Sequence, residues 1–134
     1  MSNVPLRVLV TGSRDLTDES VVLTALQAVV EYAAGRPIVI VHGACRGADL
    51  LVARLAAATI PGVTIEPHPA EWAKFGKSAG PRRNAAMVNS GVEICAAFFI
   101  RGWQSRGTAG CCRLAVQAGV PVRWWYQEPP AVGS

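Results

Sequence analysis

Short apolar runs alternate with longer amphipathic stretches along the chain. The runs are rich in Val, Ile and aromatic side chains, and several have the unbroken apolar character of strands that are buried on both faces. They lie at 7–11, 38–41, 63–66, 94–99 and 120–124. Between them the pattern predicts helices over 19–34, 48–59, 82–90 and 108–118.

Glycine and aspartate residues mark the ends of these helices. A left-handed residue belongs just past the end of a helix, and glycine adopts that conformation readily. Four glycines stand at such positions: Gly35, Gly62, Gly91 and Gly119. Asp18 and Asp49 are placed to cap or charge helix starts, and capping is the favoured role for Asp49.

The alternation of strands and helices predicts an α/β fold. Units of this kind form parallel sheets with right-handed crossovers and helices on both faces. We expect a Rossmann-like three-layer sandwich whose five-stranded parallel sheet has the order 3-2-1-4-5. Residues 1–126 form a single domain in this interpretation, and residues 127–134 form a flexible C-terminal tail.

The composition bears on location and assembly. Hydrophobic residues make up 51% of the 134 residues and charged residues only 16%, so we expect part of the apolar surface to be buried in a homo-oligomer. Every apolar run is interrupted before the roughly 18 residues that a membrane span needs. The first residues lack the apolar region of a secretory signal. The chain is therefore predicted to be cytoplasmic, without membrane contact.

The four cysteines, Cys45, Cys95, Cys111 and Cys112, have no C-x-x-C spacing. A zinc site or a disulfide framework is therefore not expected, and structural roles are predicted for all four. Cys95 is expected in the core, and Cys111 and Cys112 on a helix. No metal and no cofactor are predicted.

Basic residues gather in the loops that follow the predicted strands. The formal net charge is +4, and arginine suits phosphate because its planar guanidinium matches two phosphate oxygens. The total charge suits a nucleic-acid backbone equally well. In a parallel sheet these loops share the edge where ligands bind. Eight of the 13 basic residues lie there: Arg14, Arg46, Lys74, Lys77, Arg82, Arg83, Arg101 and Arg106.

Three of the loops have the composition of phosphate-binding loops. T-G-S-R-D at 11–15 follows a buried strand, and S-R-G-T-A-G at 105–110 precedes the fourth helix with Ser105, Gly107 and Thr108. The predicted strand order makes these two loops neighbours. G-A-C-R-G-A-D at 43–49 is neither a Walker A loop nor a dinucleotide motif, and for Gly43 a simple tight turn is an equal alternative.

The segment 67–84 is too long to be a simple connection and is a candidate lid or recognition loop. Trp72 and Phe75 could stack on a base, and Arg82 could pair with a phosphate, although Trp72 could equally be a structural anchor. Arg83 and Asn84 face the ligand or cap the third helix. No metal-ligand cluster or catalytic triad stands out, so no catalytic residue is assigned.

With these motifs placed, the chain resembles the SLOG superfamily, which includes the SMF/DprA and Lonely Guy groups. Within it, the chain is similar to the small bacterial and phage domains related to YspA. The resemblance covers about residues 6–125. It rests on V-T-G-S-R-D-L-T-D at 10–18, V-H-G-A-C-R-G-A-D at 41–49, E-W-A-K-F-G-K-S-A-G-P-R-R-N-A-A-M-V at 71–88, S-R-G-T at 105–108 and A-G-V-P-V at 118–122.

The resemblance implies a Rossmann-like nucleotide-binding fold, commonly assembled as a homo-oligomer. It implies that the pocket is lined by Gly12, Ser13, Arg14, Gly43, Gly47, Asp49, Arg82, Asn84, Gly107 and Thr108. Some relatives are proposed sensors or processors of nucleotide-derived signals. We therefore expect a small ligand such as AMP or an ADP-ribose-like compound, bound by a sensor, a sequestering protein or a processing enzyme.

Two branches of the superfamily supply the alternatives. The Lonely Guy branch hydrolyses nucleoside monophosphates with an arginine and a glutamate from P-G-G-x-G-T-x-x-E. Here 104–111 reads Q-S-R-G-T-A-G-C, so the paired glycines are absent and Cys111 replaces the glutamate. The DNA-processing branch binds single-stranded DNA and has motifs similar to 11–14 and 45–49. Nucleic-acid binding is less favoured here, because the net charge is modest and few aromatics look exposed.

Overall fold

The computed structural model describes residues 3–131, which form a five-stranded sheet covered by helices. The strands are β1 (Leu6–Gly12), β2 (Ile38–His42), β3 (Thr64–Pro67), β4 (Ile94–Ile100) and β5 (Val122–Gln127). All neighbouring strands are parallel, and their order is β3-β2-β1-β4-β5. The predicted α/β class and strand order are confirmed.

Helices cover both faces of the sheet. They are α1 (Glu19–Ala33), α2 (Ala48–Thr59), α3 (Trp72–Phe75), α4 (Ala79–Val88) and α5 (Arg106–Gln117). Successive strand residues point to opposite faces, so Val8 packs in the core under α1 and α2 while Leu9 packs under α4 and α5. In the described residues, none of these helices has both the length and the apolar character needed to cross a bilayer.

The predicted helix ends are largely confirmed. The Asp18 side chain caps α1 by accepting hydrogen bonds from the amides of Ser20 and Val21. Ala34 is left-handed at the end of α1, with φ of 50°, and the next residue is glycine. Positive φ angles occur at all four glycines predicted to follow helices: Gly35, Gly62, Gly91 and Gly119.

The segment between β3 and β4 is more helical than predicted. Helix α3 and a 3-10 turn over Gly76–Ser78 precede α4, which begins at Ala79 rather than at residue 82. Pro81 therefore lies in the first turn of α4. Proline is tolerated there because the N–H groups of a first turn have no partner within the helix.

The last strand extends one residue into the predicted tail. Gln127 is the final residue of β5 and is buried. Its side-chain oxygen accepts hydrogen bonds from the amides of Thr17 and Asp18, each at 2.8 Å. Gln127 therefore fixes the edge of the sheet to the start of α1. Residues 132–134 of the predicted tail lie outside the described residues.

Candidate functional site

A polar cavity of about 290 Å³ opens at the carboxyl edge of the sheet, beside β1 and β4. The helices that follow these two strands pack on opposite faces, which leaves a crevice at this point of a doubly wound sheet. The cavity is lined by Val10, Thr11, Gly12, Ser13, Arg14, Asp15, Cys45, Arg46, Asp49, Arg83, Asn84, Met87, Gln104, Ser105, Arg106, Gly107 and Thr108.

Most of the residues singled out from the sequence meet in this cavity. Those that line it are Gly12, Ser13, Arg14, Asp49, Asn84, Ser105, Gly107 and Thr108. Those that do not line it are Gly43, Gly47, Arg82, Trp72 and Phe75. The loops after β1 and β4 are neighbours as expected, because the two strands pair with Gly12 opposite Phe98.

Gly12 ends β1 where the backbone is closely packed. A Cβ at this position would lie 2.5 Å from the Cβ of Ala48 and 2.8 Å from the Cβ of Phe98. Such distances are far below ordinary van der Waals contact, so only glycine lets α2 begin this close to the end of β1. Gly12 therefore supports the packing of the domain as well as lining the cavity.

The loops after β1 and β2 are joined backbone to backbone. The carbonyl oxygen of Ser13 accepts a hydrogen bond from the amide of Ala48 at 3.0 Å. Gly47 has a φ of 80°, and a Cβ there would overlap the carbonyl group of Arg14. Gly47 thus matters for the shape of the site although it does not line it. The Ser13 hydroxyl accepts a hydrogen bond from the Asp15 amide at 3.1 Å, which orders the first loop further.

Asp49 holds the loop before α2 and does not cap the helix, so the favoured capping role is wrong. Its Oδ2 accepts hydrogen bonds from the amides of Gly43, at 3.0 Å, and Cys45, at 3.2 Å. The residue is only 5% exposed. Burial raises the pKa of Asp49 to about 6, while the two amides and the charges of Arg83 and Arg14 act in the opposite direction.

The second carboxylate oxygen of Asp49 is free. No hydrogen bond from the described residues reaches Oδ1. In residues 3–131, the Nε of Arg7 is the one fully buried side-chain nitrogen or oxygen without a partner, so Oδ1 keeps some accessible surface. Asp49 lines the cavity, and its Oδ1 is an acceptor without a hydrogen bond from the described residues.

Arg83, and not Arg82, lines the cavity. The Arg83 guanidinium donates a hydrogen bond to the carbonyl oxygen of Gly43 and connects α4 to the loop after β2. Arg82 donates to the hydroxyl of Ser78 at 3.1 Å and lies over the ring of Phe75 at 4.4 Å. The predicted phosphate contact of Arg82 would therefore have to be made outside this cavity.

The first turn of α5 forms the opposite wall. Its N–H groups have no partners within the helix and lie at the positive end of the helix dipole. The hydroxyls of Ser105 and Thr108 are hydrogen-bonded to each other at 2.5 Å. The side-chain amide of Asn84 donates to the carbonyl oxygen of Gly107 at 3.5 Å and connects α4 to α5. This wall combines hydroxyl groups with backbone donors, a composition that suits an anion.

Positive charge exceeds negative charge around the cavity. The lining holds two carboxylates, Asp15 and Asp49, and four arginines: Arg14, Arg46, Arg83 and Arg106. Within the described part of the chain, only Arg46 has a carboxylate partner, an exposed contact of 3.7 Å with Asp15. Arg83 already donates hydrogen bonds to Asn84 and to the carbonyl oxygens of Gly43 and His68, which leaves the guanidinium groups of Arg14 and Arg106 for a ligand.

The two aromatic residues proposed for base stacking lie outside the cavity. Trp72 is 51% exposed and packs against Gly80, where an added Cβ would lie 3.3 Å from the indole ring. Phe75 lines a separate cleft and is contacted by the cations of Lys74, at 5.1 Å, and Arg82. None of the residues that line the main cavity is aromatic.

Comparison with known proteins identifies the family. A family model described as the YspA, cpYpsA-related SLOG family (YAcAr) matches residues 6–75, from β1 through α3. The chain belongs to this SLOG family. The Gene 61 protein of Mycobacterium phage D29 is similar to it, with 41% identity over 126 residues that cover 92% of this chain and 98% of that protein.

Several lining residues of this SLOG domain were not assigned from the sequence. They are Val10, Thr11, Asp15, Cys45, Arg46, Met87, Gln104 and Arg106. Arg46 and Arg106 lie in loops that were predicted to form the site, but nothing in their spacing distinguished them from the other basic residues of these loops. Arg83 could have been separated from Arg82 by helical periodicity, because it lies one turn before the buried Met87.

The cysteines of the SLOG domain are free thiols, and three of them are buried. Cys95 packs in the core as predicted, and Cys111 is 0% exposed on α5. Burial raises the pKa of the Cys111 thiol to about 11. Cys111 is therefore a buried thiol rather than an exposed, reactive one.

Proposed function

We propose that this SLOG domain binds a nucleotide or a nucleotide-derived phosphate ligand in the cavity beside β1 and β4. The observation that carries the proposal is the pair of cavity arginines, Arg14 and Arg106, that have no carboxylate partner in residues 3–131. A phosphate satisfies guanidinium groups bidentately and is also favoured by the N-terminus of α5. The SLOG membership supports a nucleotide-related ligand.

Binding, rather than glycoside hydrolysis by the Lonely Guy route, is the role that the residues support. That route needs an ionised glutamate at the position of Cys111. The Cys111 thiol is buried and its pKa is raised, so it supplies no negative charge and is not accessible to a substrate. A sensor or sequestering protein needs only the binding site.

The test is isothermal titration calorimetry with AMP and with ADP-ribose. It is carried out on the unaltered chain and on the variants Arg14→Ala and Arg82→Ala. Both arginines are basic and belong to the carboxyl edge, but only Arg14 lines the cavity. Loss of one charge-assisted contact weakens binding by about tenfold to a hundredfold, which is the expected result for Arg14→Ala. Arg82→Ala should bind as the unaltered chain does.

Two results would contradict the proposal. One is that titration with AMP or ADP-ribose at millimolar concentration gives no heat of binding. The other is an equal loss in both variants together with affinity for single-stranded oligonucleotides that increases with strand length and falls steeply with salt. That pattern belongs to a polymer backbone bound along the whole basic edge.

A further inference from the structure

We infer that two copies of this chain associate through the outer edge of β5, with the two β5 strands paired antiparallel across a twofold axis. The inference concerns a surface away from the cavity and does not depend on the proposed function. It assigns a place where part of the apolar excess of the composition is buried.

The backbone of β5 has an unpaired outer side. The strand lies at one end of the sheet, beyond β4. The carbonyl oxygens of Pro121 and Gln127 accept hydrogen bonds from the amides of Cys95 and Arg101, each at 2.9 Å. Alternate residues of a strand direct their N–H and C=O groups to the same side, so the even-numbered residues of β5 direct theirs away from β4. In the described part of the chain, no hydrogen bond reaches these outer groups, which belong to Val122, Trp124 and Tyr126.

Aromatic side chains are exposed on both faces of this edge. Trp124 and Tyr126 share one face and are 53% and 46% exposed. On the opposite face, Trp125 lines a mostly apolar cleft together with Tyr32 of α1, which is 54% exposed. Tyrosine and tryptophan are enriched where protein surfaces meet, because their rigid rings bury much area at a small cost in entropy. A strand added at this edge would contact both faces at once.

The opposite edge of the sheet is protected against such pairing. β3 has only four residues and ends at Pro67, which has no N–H group to donate. The carboxylate of Glu66, next to it, is bound by Arg7 and by His68. Short strands, prolines and charged side chains are the usual means by which edges avoid association. β5 has six residues, no proline and one charged side chain, that of Arg123. Pairing is therefore expected at β5 alone, so that association stops at two copies.

A second copy fits this edge because β5 is complementary to itself. In an antiparallel pair about a twofold axis, the outer groups of one strand meet those of the other. With the axis at Trp125, Trp124 lies opposite Tyr126 of the second copy. Arg123 then lies opposite Gln127 of the second copy. No like charges meet, and the aromatic pairs add to the backbone hydrogen bonds. The result is a continuous sheet of ten strands, five from each copy.

Amide hydrogen exchange of the unaltered chain tests the inference residue by residue. Exchange is started at millimolar and at low micromolar protein concentration, quenched, and read by NMR. The outer amides of Trp124 and Tyr126 should exchange at least about tenfold more slowly at the higher concentration, because only the associated state pairs them. The amides of Arg123 and Trp125 donate to β4 in either state, so they should be protected at both concentrations and serve as the internal control. Rapid exchange of both outer amides at millimolar concentration would overturn the inference.

Sedimentation of two variants tests the same surface independently. The unaltered chain should reach twice the mass of one chain as its concentration is raised. Trp124→Lys places a charge against the aromatic residues of the second copy and should weaken association by at least about thirtyfold. The control is Leu50→Lys, which changes a residue that is 49% exposed on α2, over β1, β2 and β3, and it should associate as the unaltered chain does.

Three results of sedimentation would contradict the inference. They are the mass of one chain at millimolar concentration, equal association of the two variants, and a mass beyond two copies. If the melting temperature shows that Trp124→Lys does not fold, the amide exchange of the unaltered chain decides.

Discussion

Arg83 of α4 donates a hydrogen bond to the carbonyl oxygen of Gly43, which lies 40 residues earlier in the chain. The bond joins a helix on one face of the sheet to the loop after β2. It also brings the guanidinium charge near the carboxylate of Asp49. One side chain therefore both shapes the cavity wall and contributes to its charge.

Arg83→Met should destabilise the fold, whereas the neighbouring Arg82→Met should not. The first change removes the hydrogen bonds that Arg83 donates to Asn84 and to the carbonyl oxygens of Gly43 and His68, and acceptors left unsatisfied in this way cost about 1–3 kcal/mol of unfolding free energy. The second removes an exposed side chain that donates only to Ser78, and such changes stay within about 0.5 kcal/mol. Urea denaturation measures both. Equal stabilities of the two variants would show that the contact does not form in solution.

The burial of Asp49 should appear in the pH dependence of stability. The folded chain binds the carboxyl proton with a pKa of about 6, against an ordinary value of 3.8. Between these values the folded state retains a proton that the unfolded state releases, so the carboxylate lowers stability as the pH rises from about 4 to about 6. The Asp49→Asn variant has no carboxylate at this position, so it does not lose stability in this way. Its stability relative to the unaltered chain should therefore increase by on the order of 3 kcal/mol over that interval.

The measurement for Asp49 is urea denaturation of both chains at several pH values. The charged groups that act on this carboxylate are Arg14 and Arg83. The nearby Cys111 thiol, with its pKa of about 11, also does not titrate there. Parallel stability profiles for the two chains would contradict the prediction.

Gly12→Ala and Gly107→Ala should have opposite effects. The new methyl group at Gly12 would collide with Ala48 and Phe98, and overpacking of this kind costs about 1–3 kcal/mol. At Gly107 the added Cβ would meet no atom within 4 Å beyond the chain neighbours and the backbone of α5, and alanine is the better helix former by up to about 1 kcal/mol. Thermal unfolding distinguishes the two. A neutral Gly12→Ala would mean that α2 can move away from β1.

Cysteine alkylation should report on the cavity. Cys45 is half-buried and lines it, whereas Cys95, Cys111 and Cys112 are buried. Iodoacetamide should therefore add one label to the native chain, at Cys45, and four labels in urea, as read by mass spectrometry. Saturation with AMP should slow the labelling of Cys45. Labelling of Cys111 at the same rate as Cys45 would contradict the packing of α5 described above.

The sequence predicted the fold better than it predicted which residues line the cavity. The α/β class followed from the alternation of elements, the expected strand order was confirmed, and Asp18 capped α1 as its position indicated. The first and last loops became neighbours for the same topological reason. These features depend on local patterns and on the limited ways in which parallel strands connect.

The errors arose where tertiary contacts override local signals. Asp49 lies at the start of a helix and was predicted to cap it, but its carboxylate accepts hydrogen bonds from the amides of Gly43 and Cys45 instead. The start of α4 was predicted three residues late, at residue 82 instead of Ala79, and Arg82 was assigned to the pocket that Arg83 lines. Spacing along the chain carries no information about which loop folds back onto a side chain.

The joining of the first two loops has a thermodynamic consequence. With Gly47 pressed against Arg14, and Ala48 bonded to Ser13, the floor of the cavity loses its conformational entropy when the chain folds, not when a ligand arrives. The cavity is thus preorganised on this side. Small ligands can then bind tightly despite offering few atoms, because little ordering of the backbone remains to oppose them.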